Sequence, residues 1–358
     1  MVLKKISNFV KLWRNECPKM AIWAILNYCN TSCMGCQFQK AKQKRRVSLE
    51  DAKKTISFFQ KNNIGLVALT GGEPLMHPHI WGIIEELNKK NIVIAYLTTN
   101  NTLLNEENAK RIGKLNINIV GVSVKLDYFL MKDSEAKRKE TERIKKATYN
   151  LKKYKVNFYG GVILSKHTKD IHSLCNTMKS LGFEKVSFSY PQTEQHSSWK
   201  AFNNSDYLNL SKEEAEKITK EILEIKKKKI IPIYNTEESL KEFLRYYSGE
   251  PPKYPCYCGN KMFYIDWDNN IYKCFTLSHK LGNILDGTEL KTNLPHKEKC
   301  LQHAFKDPSI FYSGLDEFYK IKEFLLKGKI KSCINCIKDK KSKDSLKSLL
   351  EIATSPFI

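Results

Sequence analysis

The sequence predicts an α/β fold: six parallel strands alternating with helices, open or closed into a partial barrel, then a smaller cysteine-rich unit. Three observations lead there. Apolar, β-branched and aromatic runs recur at 21–27, 65–70, 92–98, 117–124, 156–163 and 185–190, apolar on both faces as strands buried between helices are. Helical patterns fill the intervals, and strand–helix repetition gives a parallel sheet with right-handed crossovers. After about residue 190 the rhythm changes, and from Pro251 the text turns rich in Cys, Gly and Asn.

Taken in order, residues 1–16 read as a short amphipathic helix. Leu3, Ile6, Val10 and Trp13 share a face, with Lys4, Lys5, Lys11 and Arg14 around them. It is expected to pack on the body of the protein; the alternative is peripheral contact with an anionic membrane. Ser48 suits an N-cap for a helix bearing Leu49, Ala52, Ile56 and Phe59, with Asp51 in its first turn. Pro78 fits the first turn of a helix bearing Ile80, Ile83, Ile84 and Leu87. Residues 134–154 and 168–182 are also helical. Ser211 with Glu214 makes a capping box for a charged helix running to about Lys229. A short strand at 230–234 and a helix at 237–247 follow. Ile265 and Ile271 flank an Asp-Trp-Asp-Asn-Asn turn, a hairpin signature. Leu346, Leu349 and Leu350 mark a terminal helix in a lysine-rich segment. The expected division is 1–16, a core at 17–200, a helical connector at 201–250, a second unit at 251–340 and a tail at 341–358.

Composition narrows the function. With 41% apolar and 28% charged residues in 358, a core can be buried and general disorder is excluded. The apolar runs fall far short of the ~20 residues that span a bilayer. No secretory pattern opens the chain, so a cytoplasmic location is expected. The net charge of +23 comes mostly from lysines scattered over helix surfaces. The runs at 226–229 and 338–341 lack the interleaved aromatics of a base-stacking platform, so solvated faces are expected rather than nucleic acid. Eleven cysteines are the anomaly. Clustered in a chain without an export pattern, they point to metal or redox chemistry and not to disulfides.

Cys29, Cys33 and Cys36 stand as C-x3-C-x2-C directly after the first strand. Three thiolates on one loop can hold three irons of a cubane cluster and leave the fourth open; a structural zinc site would want four ligands. With this triplet the sequence resembles the radical S-adenosylmethionine (SAM) superfamily over about residues 20–190. Thr70-Gly71-Gly72-Glu73-Pro74 follows the second strand, Thr98-Thr99-Asn100-Asn101 the third, and Val122-Ser123-Val124 the fourth. The resemblance implies that Gly71, Gly72, Glu73, Asn100 and Ser123 bind SAM, with the Glu73 turn at its methionyl ammonium. Three residues depart from the family pattern. Asn101 stands where a glycine is usual, Gly35 replaces an aromatic residue before the third cysteine, and Lys125 replaces an acid, with Asp127 beyond it.

Cys256, Cys258, Cys274, Cys333 and Cys336 form the second group. Four thiolates from two segments can close a complete metal site, as a zinc ribbon or an iron–sulfur cluster. The stretch is similar to the auxiliary-cluster units, SPASM and twitch, of radical SAM enzymes. Cys256, Gly259, Asp266 and Cys274 keep that register, with Asn269 at the hairpin glycine. The ligand set implied is Cys256, Cys274, Cys333 and Cys336, with Cys258 or Cys300 as substitutes. Cys175 is expected in the core, and Cys17 has no evident partner. His77 and His79 read as a polar loop and helix start.

The resemblance implies a partial (β/α)6 TIM-type barrel with a small C-terminal twitch/SPASM-like domain. It implies a 4Fe–4S cluster binding SAM, a second 4Fe–4S cluster for electron transfer, and a low-potential donor of ferredoxin or flavodoxin type. SAM would be cleaved reductively to a 5′-deoxyadenosyl radical that takes hydrogen from a peptide, sugar, lipid or cofactor precursor. The alternative is a non-catalytic iron–sulfur or zinc protein that binds nucleic acid through its basic surface.

Overall fold

In the computed structural model the described residues are 18–354, apart from 133, 169, 191–194, 200–207 and 291–299. The helix expected at 1–16 lies outside them, as does Cys17. Nine strands form one sheet in the order β6-β5-β4-β3-β2-β1-β7-β8-β9. Strands β1 (Lys19–Ala24), β2 (Ile64–Thr70), β3 (Val93–Thr99), β4 (Val120–Ser123), β5 (Phe158–Ile163) and β6 (Val186–Ser189) are parallel throughout, as expected of a partial barrel.

Side chains of β1 alternate between two apolar layers, because successive residues of a strand face opposite ways. Ala21, Trp23 and Ile25 join the layer beneath the helices; Met20, Ile22 and Ala24 join an inner layer with Cys256, Cys258 and Cys274. The helices between the first strands are α1 (Leu49–Lys61), α2 (Ile80–Lys89) and α3 (Glu106–Lys114). Ser48 caps α1 by accepting from the Asp51 amide at 3.0 Å. Next come α4 (Leu126–Leu130), α5 (Glu135–Lys153) and α6 (Ile171–Ser180). Beyond the barrel lie α7 (Lys212–Lys227), whose Ser211–Glu214 capping box forms, and α8 (Glu237–Tyr247).

Four features differ from the reading above. Pro78 lies before α2, which begins at Ile80; Pro74 instead opens a short 3-10 turn. The strand at 230–234 is a single bridge between Ile233 and Val186, since Pro232 supplies a carbonyl but no amide donor. The hairpin of the cysteine-rich unit joins the same sheet as the barrel strands. Strand β7 (Met262–Ile265) pairs in parallel with β1, Trp23 opposite Ile265, and β8 (Asn270–Tyr272) and β9 (Lys280–Asn283) turn back antiparallel. Finally, a 24-residue helix, α9 (His303–Leu326), contains Pro308, a residue that argues against a helix interior. Helices α10 (Ile330–Lys338) and α11 (Lys340–Thr354) pack behind it. Among the described residues no helix is long and apolar enough to cross a membrane.

Candidate active site

The loop carrying Cys29, Cys33 and Cys36 leaves the C-terminal end of β1, and the Gly71–Gly72 turn leaves that of β2 beside it. Backbone ties the two together: Gly72 N donates to Leu26 O at 3.1 Å and Glu73 N to Tyr28 O at 3.2 Å. The contact needs glycine. A Cβ at Gly72 would stand 1.9 Å from Tyr28 O, and one at Gly71, where φ is 142°, 2.5 Å from Leu26 O.

Glu73 is fully buried, and both its oxygens are occupied. Oε1 accepts from Leu75 N at 3.1 Å and Thr99 Oγ1 at 2.9 Å, and Oε2 from Asn100 N at 2.6 Å. Burial outweighs these bonds and pushes its carboxyl up to about 7. Glu73 thus sits one layer behind the wall and fixes the β3 turn. Asn100, so placed, turns its amide to the cysteine loop and donates to Cys29 Sγ at 3.3 Å, Asn30 Oδ1 at 2.9 Å and Thr31 Oγ1 at 3.2 Å. Asn101 takes the left-handed conformation, φ 65°, that glycine usually fills. Its side chain adds what glycine lacks: Nδ2 donates to Ser123 O at 3.1 Å, and Oδ1 accepts from Arg143. Asp127 Oδ2 accepts from Met34 N at 3.2 Å, which fastens the cysteine loop to α4. His77 is a structural tie: it meets Val47 O through Nε2 at 2.9 Å and accepts from His79 N through Nδ1 at 3.1 Å.

A cavity of about 980 Å³ opens on this end of the sheet. Cys29, Cys33, Cys36, Gly71, Gly72, Asn100 and Ser123 line it, so the three thiols and four of the residues singled out at the strand ends face one space. The cavity runs across the barrel past Tyr96, Tyr159 and Tyr234 to His303 and Asp307 on α9. Tyr96 and Tyr159 lie in strand runs visible in the sequence, but nothing there marks them as inward-facing. His303 and Asp307 carried no signal, because α9 itself was not anticipated.

Among the described residues no three acidic, cysteine or histidine side chains close on a single ion. The first triplet fits a larger body. Its thiols are soft donors, half-buried, on one cavity wall, with Asn100 donating to one of them. Burial, aided by the other two sulfurs, pushes Cys36 up to about 11. A bound cationic cluster reverses that preference, since it takes thiolates.

Three of the second group, Cys256, Cys258 and Cys274, gather inside the inner apolar layer. Cys256 Sγ lies 3.3 Å from Cys258 Sγ, and Cys258 is hydrogen-bonded in turn to Cys274. All three are buried. Their mutual hydrogen bonds hold a proton on Cys258 and favour the Cys274 thiolate, an arrangement that a thiophilic metal would replace. Cys300 stands near enough to feel Cys256 and Cys274, though burial dominates in pushing it up to about 11. Cys333 and Cys336 stand one turn apart on α10, where Cys333 Sγ faces Ile321 O at 3.8 Å. Among the described residues no hydrogen bond joins either to the trio. Cys175 is buried in the core on α6.

Aromatic rings fill the space between the two thiol groups. Trp199 stacks on Phe275 with centroids 4.2 Å apart, and Phe38, two residues after Cys36, meets Trp199 edge-on at 5.1 Å.

Residues 23–178 match the family described as the Radical SAM superfamily. Residues 23–178 are thus a radical SAM domain. A 4Fe–4S cluster and SAM are the cofactors of a radical SAM domain, and the cysteine triplet and the wall beside it fit them. The chain is 26% identical over 292 residues to the probable GTP 3′,8-cyclase of Sulfurisphaera tokodaii, covering 79% of this chain and 89% of that protein. It is 24% identical over 123 residues to the Fe-coproporphyrin III synthase of Methanosarcina barkeri, covering 34% of this chain. It spans only 31% of that synthase. A solved structure of native anSMEcpe with bound AdoMet and Cp18Cys peptide has the same fold. The TM-score is 0.58 at 20% identity, over 76% of this chain and 79% of that one.

Proposed function

We propose that the chain abstracts hydrogen from a C–H bond of a substrate seated between the strand ends and α9. The observation that carries this reading is the cavity itself, continuous from the three thiols to a separate polar end on α9. When bound, the cluster and SAM supply a carbon-centred radical. The chain's own work is positional. Gly71 and Gly72 bring backbone to the methionyl end, Glu73 sets the β3 turn, Asn100 braces the cysteine loop, and Ser123 with Lys125 walls the nucleotide side. The aromatic lining keeps water from the reacting centre.

A second centre, held by Cys256, Cys258 and Cys274 with Cys300 close by as a fourth thiol, would pass an electron along the inner layer. Its ligands support iron–sulfur and zinc alike. The reductant fits a low-potential ferredoxin- or flavodoxin-type carrier. Nucleoside triphosphate, named for the cyclase relatives, is a poorer substrate reading. Among the described lining residues Lys125 is the only lysine or arginine, whereas a triphosphate is gripped by several. A peptide, as in the anSMEcpe complex, or another uncharged or cationic molecule suits the lining better.

Anaerobic reconstitution followed by dithionite and SAM tests the activity. The expected product is 5′-deoxyadenosine, lost in Cys29→Ala. Equal amounts from both proteins would overturn the reading.

A further inference from the structure

At the α9 end of the cavity one acid, Asp307, has no ion-pair partner among the described residues. Asp307 is half-buried on α9 and lines the cavity. Ser239 Oγ donates to Oδ1 at 2.5 Å, and Asn235 Nδ2 approaches Oδ2 at 3.5 Å. These leave lone pairs free on a carboxylate that can accept about four hydrogen bonds. The nearby lysines are spent elsewhere: Lys306 pairs with Glu242 at 3.1 Å and Lys226 with Glu351 at 2.8 Å. His303, four residues earlier on the same face of α9, is held neutral, since burial draws it down to about 4. An unpaired carboxylate out of water is costly, and what compensates it best is a cation with several donors.

We infer that Asp307 is the substrate-recognition group of this cavity and that it receives a protonated amine. The inference rests on the reading of the cavity as the substrate site, and adds the chemical class of the group bound there. The ammonium places one N–H on the open lone pairs of Asp307 and leaves others for the phenols of Tyr96, Tyr159 and Tyr234. The carbon chain of the amine then extends along the apolar lining toward the cysteine loop.

The test uses the anaerobic protein with cluster and SAM in place. Binding of 1,5-diaminopentane, 1,5-pentanediol and glutarate is compared by ligand-observed NMR at pH 8. The diamine is expected to bind at least tenfold more tightly than the other two. Asp307→Asn is expected to remove that preference and Asp307→Glu to keep part of it. Lowering the pH to 6 is expected to weaken the diamine and not the diol. Asp307 is the group facing the site that titrates in this window, because its carboxyl is pushed up to about 7 by burial. Tyr96, Tyr159, Tyr190 and Tyr234 are all pushed above their usual range, His303 stays neutral, and Lys226, Lys306 and Glu242 are ion-paired.

Equal binding of the three probes, no binding of any, or an unchanged diamine affinity in Asp307→Asn overturns the inference. If Asp307→Asn does not fold, judged by its melting curve, the probe ranking and pH response of the unaltered protein decide. The two readings fail separately. Release of 5′-deoxyadenosine without an amine preference sinks only the role of Asp307. An amine preference without 5′-deoxyadenosine sinks the radical activity instead.

Discussion

At the scale of single residues, the site is built on backbone contacts that tolerate no added atom. Gly72→Ala would drive a methyl into Tyr28 O, a backbone atom that cannot rotate away. The expected cost is about 3 kcal/mol, at the upper end of ordinary overpacking, with the cysteine loop displaced. Chemical denaturation and iron content measure the two effects; unchanged values in both would refute the close approach. The glycines, the cysteines and Asn100 could be found from the sequence because their chemistry is local: a tight turn, a metal ligand, a turn residue. The part of Glu73 could not. A carboxylate complements an ammonium on paper, yet here three donors from its own chain consume it. Asp307 was equally invisible, because a lone acid before a proline says nothing of a cavity that forms only when α9 crosses the barrel mouth.

At the scale of elements, the hairpin and helices after residue 250 decide which thiols can share a centre. Cys256 and Cys258 precede β7, and Cys274 follows β8, so the hairpin returns all three to one place. The hairpin was legible from its flanking isoleucines and its Asp-Trp-Asp-Asn-Asn turn. Asp266 Oδ1 indeed receives the amides of Asp268 and Asn270, both at 3.0 Å. Placement of Cys333-Ile-Asn-Cys336 was not legible. A C-x2-C pair reads as a knuckle in a loop, but on a helix the same spacing puts both thiols on one face, here packed inward on α10. Reconstituted protein is expected to hold about eight irons, four per cubane. Cys258→Ala and Cys274→Ala should fall to about four, whereas Cys333→Ala should keep about eight. Loss of four irons in Cys333→Ala, with Cys258→Ala unaffected, would return the ligand role to α10.

At the scale of the whole molecule, one buried and one half-buried carboxyl set the response to pH. Glu73 and Asp307 are both pushed up to about 7, chiefly by burial, from an unfolded value near 4. Between those values the folded chain binds more protons than the unfolded chain. Their contribution to stability is therefore complete below about pH 4 and is lost as pH rises through 7. His77 and His303, both drawn down to about 4 by burial, act oppositely, but their effect is complete above pH 6.5. From pH 6.5 to 8 the carboxyls alone remain, and the urea midpoint is expected to fall. Asp307→Asn should flatten that fall; a midpoint that rises across the window would contradict both assignments.

The six-strand barrel and its closing hairpin share β1, and that sharing has a mechanical consequence. The first cysteine loop leaves one end of β1. Cys258 is bridged to Met262, which pairs with Met20 at the other end. A six-residue strand at ~3.3 Å per residue spans roughly 20 Å. The gap between the two groups of thiols is thus ruled off by a hydrogen-bonded ladder rather than left to a hinge, and neither group can drift from the other without tearing the middle of the sheet.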